Sequence, residues 1–325
     1  MGLSAAADRL LFGLDAGSPM TAALAAALGL AVSPHEERVF EDGERKLRPR
    51  VDPRGRHACV LAGLHGGPDC SADERLVRLL MFVATLRDHG AASVTAVVPY
   101  LAYARKDRRT QPFDPVASRY VAQLLEAVGT SCVVTLEAHN LSAMQNAFRI
   151  PTLHVEGHLA FDEAADRWIG PPPLVVVSPD PGGVKRAQLW RERLERRLGR
   201  PVGFAMIDKR RAGGVVSGFD LVAGEVAGAT ALLVDDMVAS GGTIVRAARA
   251  LRAGGARDVV AFAAHGLFVP PAAEALADPA ISAVVVTDSV PPFRVPADGA
   301  LARKLTVVPA APALAGALAG ALPGG

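Results

Sequence analysis

The sequence predicts an α/β protein of two tandem, doubly wound parallel sheets, and three observations carry that prediction. The first is alternation. Short β-branched runs at His57–Leu64, Ser93–Val98, Cys132–Leu136, Leu174–Val177, Val202–Ile207, Ala231–Val234, Val259–Ala263 and Ala283–Val286 are separated by segments with helical apolar spacing. The second is the character of the runs, which are apolar throughout, as in strands covered on both faces of a parallel sheet. The third is size: 325 residues, 50% of them hydrophobic, fill about two ordinary domains.

The elements follow in chain order. Ala16–Pro34 is uncharged and as long as a secretory apolar core, but it follows Asp8, Arg9 and Asp15 and carries the helix-start pair Ser18-Pro19, so it reads as a buried amphipathic helix. Helices are expected over Ala72–His89, Pro115–Val128, Gly183–Leu198 and Thr243–Ala253, with Gly90, Gly129, Gly199 and Gly254 where a left-handed cap is wanted. The tail Leu305–Gly325 is broken by Pro309, Pro312 and Pro323 and dominated by Ala and Gly, which fits a strand and a closing helix and not a membrane span. The least patterned central stretch, Phe148–His158, places the expected division between an N-terminal domain at 1–150 and a C-terminal domain at 151–325.

Charge narrows the function classes. With 35 basic and 33 acidic residues the net charge is +2, which leaves no electrostatic footprint for nucleic acid. Cys59, Cys70 and Cys132 form an odd set without a CxxC pair, so neither a disulfide framework nor a zinc ribbon is expected, and a reducing cytoplasm is.

The most specific stretch is ALLVDDMVASGGT at 231–243, a buried run leading through two acids and a small-residue loop into a helix. Asp235 and Asp236 are placed to meet sugar hydroxyls, Gly241 and Gly242 let backbone N–H groups converge on a phosphate, and Ser240 and Thr243 add hydroxyls. A bare SGGT also suits an ordinary strand-to-helix turn. Asp180 follows VVVS beside Gly182-Gly183, where the backbone can approach a pyrophosphate or the acid can cap the next helix. His139, in TLEAHN, is open to a ligand role or to a satisfied surface position. Lys209, Arg210 and Arg211 follow VGFAMID and precede AGGVVSG, the composition of a cationic lid, although most such runs are solvated faces. His154 and His158 have helix-like spacing, but Glu156 between them is one place off a metalloprotease pattern, which favours a structural role.

The 231–243 segment resembles the phosphoribosyl-pyrophosphate loop of type I phosphoribosyltransferases and of ribose-phosphate diphosphokinases. Four further segments are similar to the diphosphokinases in order and spacing: VFEDGER at 39–45, VVPYLAYARKDR at 97–108, VVVSPDPGGVKRA at 175–187 and IDKRR at 207–211. Only five lysines stand against thirty arginines in the chain, and three of the five, Lys106, Lys185 and Lys209, fall inside these segments. The resemblance spans roughly residues 38–290. It implies domains of phosphoribosyltransferase type and diphosphoryl transfer from magnesium-ATP to ribose 5-phosphate, giving 5-phosphoribosyl 1-diphosphate and AMP. It further implies that Phe40, Asp42 and Glu44 form part of an adenine pocket completed across a subunit interface, and that Arg105, Lys106 and Asp107 belong to the ATP site. His139 and Asp180 would hold Mg2+; Asp235, Asp236, Ser240, Gly241, Gly242 and Thr243 would hold ribose 5-phosphate; Lys209 and Arg211 would be transition-state cations. A homo-oligomer follows from the shared pocket, with a dimer as its minimal unit and a hexamer as a larger form.

The chain departs from that pattern at Glu137, where relatives carry an aspartate, at Ala239 in place of an acid, at Lys106 in place of a glutamine, and at Gln111 and Phe113 in place of regulatory arginines. Two other readings stay open: a phosphoribosyltransferase that consumes the diphosphate, and a regulatory paralogue without activity.

Overall fold

A computed structural model of the chain describes residues 8–15, 17–171, 173–208, 211–212, 215–216 and 221–319. Its contacts gather into two units, one running to Glu156 and completed by the chain from Ala310, the other Gly157–Pro309.

In the first unit the chain runs through β1 (Arg9–Gly13), α1 (Pro19–Leu28), β2 (His35–Val39), β3 (Arg45–Pro49), β4 (His57–Leu61), α2 (Ala72–Asp88), β5 (Ser93–Val97), α3 (Ala117–Ala127), β6 (Cys132–Leu136), α4 (Leu141–Ala147) and β7 (Thr152–Val155). Five strands form one parallel sheet in the order β1-β4-β5-β6-β7. The remaining two, β2 and β3, make an antiparallel hairpin. Leu10, Phe12, Val60, Val94 and Ala96 on one sheet face are buried with Leu79, Phe82 and Val83 of α2 and Leu125 of α3. Helix α2 starts where the sequence provides a capping box: Glu74 N donates to Ser71 Oγ at 3.2 Å and Ser71 N to Glu74 Oε2 at 2.6 Å.

The second unit contains α5 (Asp162–Ala165), β8 (Leu174–Ser178), α6 (Val184–Leu198), β9 (Gly203–Asp208), β10 (Arg211–Ala212), β11 (Val215–Val216), β12 (Leu221–Ala223), β13 (Thr230–Val238), α7 (Gly242–Ala253), β14 (Asp258–Gly266), α8 (Ala272–Ala275), β15 (Ala283–Thr287) and β16 (Leu305–Val308). Its sheet has the order β12-β9-β8-β13-β14-β15-β16, with β12 antiparallel to β9 and the other neighbours parallel. Trp190 of α6 closes one face with Phe161 and Phe262, its ring 4.8 Å from that of Phe262. Ile244, Ala248 and Leu251 of α7 close the other over Ala231, Leu233 and Val259. From β8 the chain adds β9 on one side, then returns to the other side of β8 for β13 and its successors. The sheet therefore has its topological switch point between β8 and β13, where doubly wound folds open a ligand crevice beyond the carboxyl ends.

Two expectations are corrected, and one helix-like spacing proves not to be helical. The tail expected in the second domain forms α9 (Ala311–Ala319), which belongs to the first unit and packs on α1, β6 and β7. The reason is burial: Leu314 and Leu318 are fully buried there, as is Leu24 of α1, and the second face of the first sheet needs that cover. The left-handed residue after α7 is Gly255 and not Gly254. His154 and His158 share no helix, because β7 holds His154 and His158 follows in a 3₁₀ turn. The sequence also left β1, the β2–β3 hairpin and β7 unread.

Candidate functional site

The second unit assembles its polar groups at the switch point. Strand β13 pairs with β8 only as far as Leu233↔Val177, but with β14 as far as Val238↔Gly266. Asp235 and Asp236 therefore lie inside the strand and not after it, on the stretch that has outrun β8. Asp236 is buried, and Asp236 N donates to Asp235 Oδ1 at 2.8 Å. Burial pushes the Asp235 carboxyl well above the usual range, and the neighbouring Asp236 charge adds to this; Arg186, with Nη1 3.5 Å from Asp235 Oδ1, pulls the other way. Two acids held side by side, one of them buried, are costly, which marks a site built for a ligand with matching donors or charge.

Beyond β8 the chain turns sharply. Ser178 Oγ donates to Asp180 O at 2.6 Å, and Asp180 Oδ1 accepts from Gly182 N at 2.9 Å and Gly183 N at 3.2 Å. Asp180 thus does cap the turn, through its Oδ1. A Cβ at residue 183 would meet Ser178 Oγ at 2.7 Å and Arg186 Nη1 at 3.4 Å, so only glycine lets this turn close over the first turn of α6. At the other wall, α7 begins at Gly241 in a left-handed conformation, φ 81°, with no side chain capping its first N–H groups. A Cβ there would also press on Leu276 at 3.0 Å. An uncapped N-terminus flanked by Ser240 and Thr243 suits a phosphate.

The first unit presents its candidates on loops. Phe40, Asp42 and Glu44 form the turn of the β2–β3 hairpin: Phe40 N donates to Glu44 O at 2.8 Å, Glu44 N donates to Asp42 Oδ1 at 3.0 Å, and the Arg38 guanidinium lies 4.8 Å from the Phe40 ring centre. Asp42 and Glu44 are exposed. The hairpin is anchored to α2 through Glu37, which takes Arg78 at 2.6 Å and Arg45 at 2.9 Å. Burial pushes the Glu37 carboxyl up, but Arg78 and Arg45 outweigh it and hold the group below its usual range.

Arg105, Lys106 and Asp107 follow β5. Asp107 Oδ2 accepts from Asn140 Nδ2 at 2.7 Å, and Asn140 Oδ1 accepts from Ala143 N at 3.1 Å as the cap of α4. This ties Asp107 to the residue after His139. Lys106 is paired with Asp114. Glu137 is buried with φ 43°, its N–H donating to Val155 O at 2.8 Å, and His154 Nε2 stands 3.9 Å from Glu137 Oε1. His139 and Asp180 belong to different units.

Among the described residues no group of three or more His, Cys, Asp or Glu forms a metal cage. The donors at the switch point, Asp180, Asp235 and Asp236, are hard oxygen ligands of the kind that suits magnesium, which keeps waters and takes one or two carboxylates together with substrate phosphates. Lys209 and Arg210 lie outside the described residues, as does the side chain of Arg211, whose backbone pairs with Val216. Two residues with a place in these constellations escaped sequence reasoning. Arg186 lies in GGVKRA at 182–187, and its position in the first turn of α6 was the available signal. Asn140, a good N-cap type directly after His139, was the other.

The comparisons with known proteins agree with this architecture. Residues 9–129 match the family described as the N-terminal domain of ribose phosphate pyrophosphokinase, and residues 219–305 match the phosphoribosyl synthetase-associated domain. The chain is 34% identical to ribose-phosphate pyrophosphokinase 2 of Enterococcus faecalis over 86% of its own length and 84% of that protein's. It is 36% identical to the ribose-phosphate pyrophosphokinase of Prochlorococcus marinus over 86% and 82%. The crystal structure of phosphoribosylpyrophosphate synthetase from Mycobacterium smegmatis superposes with a TM-score of 0.83 at 32% identity, over 98% of this chain and 100% of that one. With two relatives above 30% identity along most of both chains, and a solved structure of the same two-sheet plan, this chain belongs to the ribose-phosphate pyrophosphokinase family.

Proposed function

We propose that the chain transfers the diphosphoryl group of ATP to the anomeric hydroxyl of ribose 5-phosphate, releasing AMP, with the sites divided between its two units. The switch-point crevice receives the sugar phosphate: the first turn of α7 with Ser240, Gly241, Gly242 and Thr243 takes the 5-phosphate, and Asp235 and Asp236 accept the ribose hydroxyls. Arg105, Lys106 and Asp107 serve ATP, and the exposed hairpin turn with Phe40, Asp42 and Glu44 suits an adenine pocket completed by a second copy. A homo-oligomer, at least a dimer, follows from that reading. Asp180 would hold magnesium in the second unit, and His139 is the ligand that the family resemblance assigns in the first; the ion, when bound, would supply neutralisation of the phosphate oxygens. The anomeric oxygen attacks the β-phosphorus in line, and no protein nucleophile is needed, because positioning and charge neutralisation carry the rate. Lys209 and Arg211 are the cations on the transferred group, so Lys209→Ala is expected to lower kcat on the order of 100-fold with circular dichroism unchanged; activity within a few-fold of the parent removes Lys209 from the mechanism.

The observation that carries this reading is the pair of acids extended past β8 opposite an uncapped helix N-terminus, one set of groups for hydroxyls and one for phosphate. The deciding experiment measures AMP release with magnesium, ATP and a panel of sugar phosphates. Release that depends on ribose 5-phosphate supports the proposal. Consumption of the diphosphate without AMP would make the chain a phosphoribosyltransferase, and no turnover would make it a regulatory subunit. Among the described residues no helix is long and apolar enough to cross a membrane. The reduced cysteines fit a cytoplasmic enzyme.

A further inference from the structure

The segment after β5 contains a cluster for which the transfer reaction gives no account. One oxygen, Asp114 Oδ2, accepts from Thr110 N at 2.9 Å, Thr110 Oγ1 at 2.8 Å, Gln111 N at 3.0 Å and the Lys106 ammonium, four donors in all. Lys106 Nζ also reaches Thr110 Oγ1 at 3.2 Å, and Arg109 Nε donates to Asp114 O at 3.2 Å. The base of the loop is closed by Ser118 N donating to Lys106 O at 3.2 Å. At the tip Phe113 is fully exposed with φ 67°, so no apolar packing fixes the turn from that side. Within residues 106–114 the side-chain contacts therefore converge on one residue, Asp114.

We propose that Asp114 is a positioning residue: it clasps residues 106–114 into a closed turn by engaging Lys106, and so leaves Arg105, exposed at the loop's entry, as the cation offered to the nucleotide. The chemistry favours this division. Lys106 adds a charge to a segment that must also hold Asp107 in place for Asn140, and pairing it with Asp114 neutralises one of the four close cations at 105, 106, 108 and 109. Engaging the ammonium first, then Thr110, holds the Asp114 carboxyl far below the usual range, so the clasp stays ionised throughout the neutral range. Lys106 then contributes to ATP affinity through loop order, in departure from the direct contact that the family resemblance assigns to it.

The proposal rests on the ATP-site reading above, and a double-mutant cycle on the full chain separates the two. The parent, Asp114→Asn, Lys106→Gln and the double variant are compared by the rate of trypsin cleavage after Arg108 without nucleotide, and by KM for ATP and for the sugar. Loss of a charge-assisted bond is expected to speed cleavage about ten-fold in each single variant, because cleavage follows the open population, and to raise the ATP KM about ten-fold with the sugar KM unchanged. The double variant is expected to be no worse than either single one. Unchanged cleavage in Asp114→Asn, or single effects that multiply to about 100-fold in the double variant, overturns the clasp. A parent that releases no AMP overturns the enzymatic reading alone, since the cleavage cycle still decides whether Lys106 and Asp114 act together.

Discussion

The two units hold their charged groups by different means. At the switch point of the second unit, Asp235 and Asp236 are built into β13, so the ladder with β14 fixes their positions whatever their ionisation. In the first unit, Lys106 and Asp107 ride on a loop held by polar contacts, among them those of Asp114, of Asn140, and of the Tyr103 hydroxyl on Asp73 of α2. Main-chain placement is precise but carries an electrostatic cost, because two acids sit side by side and one of them is buried. Side-chain placement avoids that cost and depends on a few replaceable groups. In the proposed function the fixed site would orient a sugar phosphate with many hydroxyls, and the tethered one would serve a nucleotide that has to enter and leave.

The largest effect that sharpens this contrast is expected from Asp235→Asn. Losing a carboxyl that accepts sugar hydroxyls leaves those hydroxyls unpaired at a cost of about 1–3 kcal/mol, on the order of ten- to 100-fold in the sugar KM. The same substitution is expected to raise the Tm of the ligand-free protein at pH 8. Since folding raises the Asp235 pKa, the native state holds a proton that the unfolded chain gives up near pH 4, and the stability this provides is lost as pH rises through the raised value. The asparagine variant should therefore show a flatter Tm profile above about pH 5. A lower Tm at pH 8 would mean that the acid stabilises its own site and would break the contrast. An intermediate effect is expected from Arg186→Gln. It removes the cation 3.5 Å from Asp235, should raise the sugar KM about ten-fold, and should lower the Tm most at alkaline pH, where both acids are charged. A change in ATP KM alone would place Arg186 elsewhere in the reaction. The smallest effect belongs to the loop tip: Phe113→Ala should leave both KM values within about two-fold, because a fully exposed ring holds nothing in place. A clear loss would show that the tip itself contacts a substrate or a partner.

What was legible in the sequence follows the same division. The apolar strands and the loop into α7 could be read because parallel-sheet burial and helix-start chemistry are local patterns: β6 was placed at both ends, and α6 and α7 to within one residue at their starts. The extension of β13 past Val234 was missed because acids inside a strand break the apolar pattern, and only the matching extension of β14 reveals the ladder. Strand β1 was missed because RLLFG is short, and β2 because HEERV is mostly polar and pairs outside the main sheet. Lys106 could be identified as a departure, but its partner eight residues away is a product of loop geometry, which no local pattern encodes.

The return of α9 to the first unit has a consequence for vectorial synthesis. Residues 157–309 interrupt the first unit, so the ribosome completes the second sheet before it makes the helix that covers the exposed face of the first. At about 5–20 residues per second that interval lasts roughly eight to thirty seconds. During it the face around β6 and β7 lacks the cover that α9 gives it, and the nascent first unit resembles an unfinished host around a finished insertion. Damage to the last helix would then surface as aggregation of the half that was translated first.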